Sequence, residues 1–356
     1  IRIEWGSNNA NLTYMFANVQ SIKEITINNL FSTSETNISY MFYNCQSLES
    51  FYYIDTKNNL IADATKMFYN CFYLKSVSFE GNYIANNINM TYMFHNCYNL
   101  RSFYFLPQMN VSDIRGMFYN CYSIRTINIS NFNSFSGDVN VSYLFYNCHN
   151  LETIKTNSDI YISDMRFMFY NCFKLPTGTS SSSTLKLDNF KINSSLNMSY
   201  LFYNCQKLSS ITLHTRFPPS DMRNMFYNCI SINSITIPFT FDEQKITNMT
   251  RMFYNCVILQ NILNDNTTNL KTYSYFPNDI HEMFYNCEKL TNLVFISYIR
   301  TDNTEDMSLL FYNCLKLTTL ILDFSNNLTK NMKGMFQNSG LTTITFSQFN
   351  TNNVEI

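Results

Sequence analysis

The chain has 356 residues and is nearly neutral, with 24 Lys and Arg against 25 Asp and Glu and a formal net charge of −1 at pH 7. This balance excludes the positive field by which proteins bind nucleic acid or an anionic membrane surface. Hydrophobic residues make up 46% of the chain, enough for a large core, and the seven glycines form no phosphate-binding GxxxxGK[ST] or GxGxxG motif. No apolar run is long enough to span a membrane as a helix.

One sequence block recurs thirteen times, and its most constant residue is a Phe. Successive copies of this Phe stand 24 to 33 residues apart, which leaves no room for an independent globular domain between blocks. We therefore predict a single solenoid over residues 1–356, in which stacked repeats share one core. The Phe column consists of Phe16, Phe42, Phe68, Phe94, Phe118, Phe145, Phe169, Phe202, Phe226, Phe253, Phe284, Phe311 and Phe336.

Each block combines two hydrophobic periodicities. Between Ile38 and Cys45, apolar residues stand at i, i+3, i+4 and i+7, the spacing of the apolar face of a short helix. Between Leu48 and Tyr53 the pattern changes to the alternation of a strand. The sequence therefore predicts an α/β repeat: a solenoid of about thirteen short helix–strand coils with one continuous parallel β-sheet.

Two polar positions also recur in the block. An Asn or Asp, such as Asn37 or Asp63, stands four residues before the Met or Leu of each copy. Such a side chain can accept the unpaired backbone N–H groups at the start of a helix. A second Asn, such as Asn44 or Asn70, precedes the Cys, and we expect its amide to bond backbone groups of the adjacent coil.

The segment Asn110–Ile124, NVSDIRGMFYNCYSI, and residues 347–354, SQFNTNNV, resemble the repeats of the BspA-like leucine-rich repeat family. The resemblance extends over nearly the whole chain and implies a leucine-rich-repeat solenoid. It also implies an extracellular or cell-surface protein of the adhesion and matrix-binding kind found in bacteria and parasitic protists. The chain departs from the family pattern in its variable block length, its many Asn, Tyr and Phe residues, and the absence of Cys at Val19 and Ser339.

The eleven cysteines all occupy one block position, which favours a column of small buried side chains. An odd number of parallel side chains disfavours disulfides, and the four scattered His with no CxxC argue against a metal site. No cofactor is expected, and no polar cluster interrupts the pattern as an active site would, so we predict a non-enzyme. The column consists of Cys45, Cys71, Cys97, Cys121, Cys148, Cys172, Cys205, Cys229, Cys256, Cys287 and Cys314.

N-x-S/T sequons are candidate N-glycosylation sites if the protein follows a eukaryotic secretory route. Four of them lie in predicted loops or insertions and are the better candidates: Asn110, Asn193, Asn266 and Asn327. Six others coincide with the predicted helix start, where a capping role is the simpler explanation, and chance matches are expected in an Asn-rich chain. These and the one remaining sequon are Asn11, Asn37, Asn89, Asn128, Asn140, Asn197 and Asn248.

Two surfaces are candidates for contact with a partner. Outward positions of the predicted sheet carry large side chains at Tyr52, Tyr104, Leu263, Val294 and Ile321. Ten blocks also carry a Tyr directly after the Phe, which predicts a stripe of aromatic rings. This stripe either holds carbohydrate or a partner chain, or simply covers the edge of the coil.

The two ends favour a processed chain or part of a longer one, because residues 1–3 resemble the end of a strand and residues 349–356 lead towards a further coil. Neither end carries a polar cap, so we expect further chain, a cap domain or another subunit to cover it. Our first hypothesis is a non-catalytic extracellular scaffold that binds other proteins, cell-surface or matrix components through its extended faces. The alternative is a structural subunit that stacks head to tail into an extracellular filament or coat, with or without glycans. Neither hypothesis involves nucleic acid or a membrane span in this segment.

Overall fold

The structure is a computed structural model that describes residues 11–28, 35–55, 60–81, 85–105, 109–129, 132–135, 138–155, 159–175, 190–212, 219–237, 246–264, 277–291, 293, 301, 303–323 and 328–347. The chain divides into two compact units. Unit 1 comprises Ile1–Asp164, Met168–Cys172 and Asn189–Asn193, and unit 2 comprises Met165–Phe167, Phe173–Asp188 and Ser194–Ile356. The single solenoid over residues 1–356 stays a prediction, and both predicted open ends lie outside the described residues.

In unit 1 the strands alternate between two sides of the coil and pair in parallel. On one side, β1, β3, β5 and β7 form a four-stranded sheet, and β9 pairs with β12. On the other side, β2, β4, β6, β8 and β10 form a five-stranded sheet, and β11 pairs with β13. The strands are β1 (Glu24–Asn28), β2 (Glu35–Asn37), β3 (Ser50–Asp55), β4 (Leu60–Asp63), β5 (Ser76–Gly81), β6 (Ala85–Asn89), β7 (Ser102–Tyr104), β8 (Met109–Asp113), β9 (Thr126–Asn128), β10 (Phe132–Phe135), β11 (Val139–Asn140), β12 (Thr153–Lys155) and β13 (Ile160–Asp164).

Unit 2 repeats this arrangement with shorter runs of pairing. The end of β14 pairs with β16, while β15, β17 and β18 form a three-stranded sheet and β19 pairs with β20, all in parallel. Single bridges link the Asx positions of later coils, from Asp221 through Asn248 and Asp279 to Asn331. The strands are β14 (Phe190–Asn197), β15 (Ser210–Thr212), β16 (Pro219–Asp221), β17 (Ser234–Ile237), β18 (Asn261–Asn264), β19 (Thr319–Asp323) and β20 (Thr343–Ser347).

The predicted helix is wrong: residues 38–45 and their equivalents form consecutive β-turns, and the described part of the chain contains no helix. The N–H of Met41 donates to the carbonyl of Ile38 at 3.2 Å, an i→i+3 bond typical of a turn. The next N–H, of Phe42, donates instead to the carbonyl of Met67 in the following coil at 2.9 Å. Because every second N–H leaves its own coil in this way, the corner is joined to its neighbour as strands are.

The residues that the structure describes form parallel β-solenoid coils with about nine turns. The expectation of about thirteen helix–strand coils with one continuous sheet is therefore not supported. The strands divide among several short sheets because each coil turns between two strand sides and pairing lapses between some neighbours, as between β7 and β9.

The core of both units is built from columns of identical side chains. In unit 1, successive rings from Phe16 to Phe169 stack with centroids 5.2 to 5.9 Å apart. In unit 2, the rings from Phe202 to Phe336 stack at 5.4 to 5.9 Å. Phe118 is fully buried, and its burial contributes roughly 1.5–3 kcal/mol relative to exposure.

Candidate binding surfaces

The Asn that precedes the Cys holds a backbone conformation that most side chains avoid. Asn44, Asn120 and Asn255 have φ of 60°, 61° and 59°, the left-handed region that Asn tolerates better than other non-Gly residues. Each terminates a β-turn at the corner of the coil, and its N–H bonds to the next coil. The recurring Asn is thus favoured by the backbone conformation, and in the sequence it is the signal that distinguishes this corner from a helix.

The side chains of these Asn residues bond to one another, not to the backbone as predicted. Nδ2 of Asn120 donates to Oδ1 of Asn96 at 2.7 Å, and Nδ2 of Asn147 donates to Oδ1 of Asn120 at 2.8 Å. In unit 2, Nδ2 of Asn255 donates to Oδ1 of Asn228 at 2.6 Å. Identical amides one coil apart therefore form an asparagine ladder, in which each amide is both donor and acceptor.

The Asn or Asp at the start of the corner caps a turn. Oδ1 of Asn37 accepts the N–H of Ser39 at 2.8 Å and its hydroxyl at 2.6 Å. Oδ1 of Asp113 accepts the N–H of Arg115 at 2.8 Å in the same way. The acceptor role is the one expected from sequence, but it serves an Asx-turn because the backbone turns tightly there.

The cysteines are all free and buried. Each thiol with a resolved partner donates to the carbonyl of the Phe in the preceding coil, as from Cys71 to Phe42 at 3.2 Å and from Cys229 to Phe202 at 3.1 Å. Burial raises the pKa of Cys229 to about 12. A thiol in this state is protonated and unreactive, which gives the column a packing role.

The stripe of aromatic rings after the Phe is continuous within long stretches of each unit. Tyr119 and Tyr146 stack with centroids 4.4 Å apart, and Tyr227 and Tyr254 at 4.6 Å. His95 takes the place of a Tyr and stacks on Tyr119 at 4.6 Å. Each ring face is covered by the next ring, so the stripe offers edges and hydroxyl groups to solvent but no open ring faces. This geometry disfavours stacking of sugars and favours the interpretation that the stripe covers the edge of the coil.

The strand face of unit 1 has open ring faces. Tyr52 and Tyr104 are 42% and 48% exposed and point outward from β3 and β7. The strand register places Ser78 of β5 directly between them. Neither Tyr stacks on another ring among the described residues, because the small Ser78 side chain leaves a gap. The hydroxyl of Ser78 donates to Oε1 of Glu80 at 2.9 Å, which adds a carboxylate to the same face.

The corresponding face of unit 2 is more apolar at its described positions. Leu263 on β18 is 49% exposed and Ile321 on β19 is 71% exposed. Val294 lies outside the described residues. Tyr52 and Tyr104 lie in one sheet of unit 1, whereas Leu263 and Ile321 lie in separate sheets of unit 2.

Two of the four sequons expected in loops lie in strands. Asn110 was expected in a loop but is half-buried in β8, where it pairs with Ser134 of β10. Asn193 lies in β14, while Asn266 and Asn327 lie outside the described residues. The loop assignment failed because each coil has a second strand before the Asx-turn, which the sequence pattern did not reveal. Asn128 lies exposed in β9, and Asn11, Asn37, Asn89, Asn140, Asn197 and Asn248 all occupy the Asx position.

The described residues include no group of three or more His, Cys, Asp or Glu side chains that would hold a metal ion. Within the same ranges, no helix has the length and apolarity to cross a membrane.

The repeated parallel coils with a column of buried Leu, Phe and Cys define a leucine-rich-repeat solenoid. Six copies of the BspA-type leucine-rich repeat match residues 13–141. A second family, described as a Mycoplasma protein of unknown function, matches residues 88–214, 163–278 and 277–356. The second model covers more than half of the chain, so the chain belongs to that family. Its residues 13–141 belong to the BspA-type leucine-rich repeat family. No curated protein sequence matches the chain.

The chain is similar to three solved bacterial structures at low sequence identity, and the first of them supports the fold. A leucine-rich repeat protein from Bacteroides ovatus is 17% identical and has a TM-score of 0.51. The match covers 90% of this chain and 85% of the Bacteroides chain. A leucine-rich cell surface protein from Faecalibacterium prausnitzii is 16% identical, with a TM-score of 0.41 and coverage of 92% and 79%. A leucine-rich repeat protein from Eubacterium ventriosum is also 16% identical, with a TM-score of 0.41 and coverage of 93% and 87%.

Proposed function

We propose that the protein is a non-catalytic scaffold, located at the cell surface or outside the cell, that contacts other proteins through its extended strand faces. The observation that carries this proposal is the difference between the inward and the outward positions of the coils. The inward columns are filled by Phe, Leu and Cys, while the outward strand positions of unit 1 carry exposed Tyr52 and Tyr104 around Ser78. Tyr is the residue type that contributes most readily to protein contacts, because it presents a large rigid surface with a polar end.

Membership of the BspA-type family supports the surface location and the adhesive role. The near-neutral charge also supports contact with proteins over contact with nucleic acid. A non-catalytic role is supported by the regularity of the coils, since the recurring polar side chains of the corner cap turns or bond to each other.

Binding with face-directed variants tests the proposal. Tyr52→Ser combined with Tyr104→Ser removes both rings and introduces the residue that the same sheet already holds at Ser78. Tyr73→Ser combined with Tyr161→Ser is the matched control, because these side chains are 59% and 44% exposed in unit 1 and lie away from the strand face of Tyr52. We expect the first pair to weaken solid-phase binding to matrix proteins and cell surfaces by tenfold or more, and the control pair to leave it unchanged. Saturable binding that survives the first pair, or no binding by the native protein, would refute the assignment of this face.

A second candidate is a structural subunit that assembles end to end. The observation in its favour is the register of unit 2, where the rings from Phe202 to Phe336 stack 5.4 to 5.9 Å apart, since coils stacked in register can continue from one copy into the next. Electron microscopy of the native material distinguishes the two functions, because filaments support the subunit and dispersed particles at high concentration refute it.

N-glycosylation stays part of this proposal. The exposed sequon Asn128 and those at the Asx position are the sites that the described residues offer. Mass spectrometry of material purified from the native source, before and after glycosidase treatment, tests for a glycan at each site.

A further inference from the structure

A cleft on the turn side of unit 1 has the chemistry of an anion-binding site. Its volume is about 400 Å³, and the described residues that line it are Arg101, Ser123, Arg125 and Asn150. This volume falls within the roughly 300–1,000 Å³ of small-molecule sites. The lining is rich in hydrogen-bond donors and combines two guanidinium groups with a hydroxyl and an amide.

The cleft lies where the regular pairing of the coils lapses. Arg101 directly precedes β7, the last strand of its sheet, and Arg125 directly precedes β9, which pairs with β12 instead. The N–H of Ser123 still donates to the carbonyl of Tyr98 at 3.2 Å, so the two coils remain joined at one edge. A binding site is expected where a repeated pattern breaks, because elsewhere the hydrogen-bonding groups of each coil are paired with those of the next coil.

The charge of the cleft is uncompensated within the described part of the chain. In the two preceding coils, the same block position holds Glu49 and Lys75, which form an ion pair at 2.5 Å. In the next two it holds Arg101 and Arg125, neither of which pairs with a carboxylate among the described residues. Glu152 follows one coil later, but it also forms no ion pair there. Two guanidinium groups on neighbouring coils repel each other, and a bound anion would remove that repulsion.

We propose that this cleft binds an acidic sugar residue, whose carboxylate or sulfate is held between Arg101 and Arg125. Planar guanidinium groups bind such oxyanions through paired hydrogen bonds. Nδ2 of Asn150 donates a hydrogen bond to the carbonyl of Tyr122 at 2.7 Å. This bond fixes the amide and leaves its Oδ1 to accept a hydrogen bond from a sugar hydroxyl. The hydroxyl of Ser123 supplies a further polar contact.

The size of the cleft favours a sugar over the acidic side chain of a partner protein. Its volume corresponds to roughly a dozen water molecules at about 30 Å³ each. The carboxylate of an Asp or Glu would leave most of that space to solvent, whereas a sugar residue would occupy a much larger part of it. This site goes beyond the proposed protein-contact role and does not depend on it, because neither Tyr52 nor Tyr104 belongs to its described lining.

Calorimetric and ligand-observed NMR titrations of the full chain test the proposal. The probes are methyl glucuronide, glucose 6-sulfate, the neutral methyl glucoside, inorganic sulfate and an acidic hexapeptide. We expect the two acidic sugars to bind, the neutral sugar to bind at least tenfold more weakly, and the affinity to fall as salt screens the charges. Arg101→Gln combined with Arg125→Gln should weaken the acidic sugars by at least tenfold. Lys207→Gln combined with Lys289→Gln, which removes the same charge from exposed positions of unit 2, should have no effect.

Each contrary outcome overturns a defined part of the proposal. Absence of binding by the native chain at 10 mM, or binding that the arginine variants leave intact, overturns the site. If inorganic sulfate binds as tightly as the acidic sugars, the proposal that the ligand is a sugar is overturned. Tighter binding of the hexapeptide than of the acidic sugars, through the same arginines, overturns it as well. Thermal unfolding of every variant must match that of the native chain, so that loss of binding is not loss of fold. These results do not depend on whether the protein adheres to cells, so failure of this site and failure of the proposed function are separable.

Discussion

Replacing one member of the asparagine ladder separates what its backbone and its side chain contribute. Asn120 has φ of 61°, donates to Asn96 at 2.7 Å and accepts from Asn147 at 2.8 Å. Asn120→Ala loses both bonds, at about 1 kcal/mol each, and forces Ala into the left-handed region at about 1–2 kcal/mol. We therefore expect the free energy of unfolding to fall by about 3–4 kcal/mol. Chemical denaturation followed by far-UV circular dichroism measures the change.

Two further variants identify the cause of that loss. Asn338→Ala is the matched control, because Asn338 has φ of 57° but makes only a long contact of 3.5 Å with the hydroxyl of Tyr312. Asn338→Ala should lower the free energy of unfolding by about 1–2 kcal/mol, because it loses only the tolerance of Asn for the left-handed backbone conformation. Asn120→Gly removes the ladder bonds without backbone strain, at a cost of about 2–3 kcal/mol that includes the freedom of Gly in the unfolded chain. Equal losses for Asn120→Ala and Asn338→Ala would show that the ladder bonds add nothing to stability.

Three other predictions follow from the stacked columns. Phe118→Ala leaves a cavity between two stacked rings and should cost about 3–5 kcal/mol in denaturation, whereas a loss below 1 kcal/mol would contradict the packing. Burial lowers the pKa of His95 to about 4, so the unfolded chain binds the proton first, and native stability should fall from pH 6.5 towards pH 4. His95→Tyr should flatten that dependence in thermal unfolding, and an unchanged profile would refute it. Because the pKa of Cys229 is raised, its thiol should react with a maleimide at pH 8 only as the chain unfolds, and stability should fall as pH rises above 9, when unfolded thiols lose their protons. Rapid labelling of native protein would contradict its burial.

The sequence predicted the repeat and its interior but not the local backbone. Buried columns follow directly from in-phase copies, since a coil cannot bury its apolar face alone. The helix was wrong because the spacing of Ile38, Met41, Phe42 and Cys45 is the same for one helical face as for two successive β-turns. The left-handed conformations of Tyr40 and Asn44 distinguish them, since a helix interior excludes that conformation, and of the two only Asn is a residue type that signals it in the sequence. The second strand of each coil was missed because β8 and β14 are polar and carry no clear alternation.

Specificity in a solenoid of this kind must come from departures from the repeat. The ladder amides, the Asx-turns and the buried thiols bond within the stack, so they are not available to a partner. What differs between coils is the residue at positions that the stack does not use. There the chain places an ion pair at Glu49 and Lys75, and two cations, Arg101 and Arg125, that form no ion pair with the other residues that the structure describes. A change at such a position alters binding without altering the core, and this explains how one regular fold can support different surfaces.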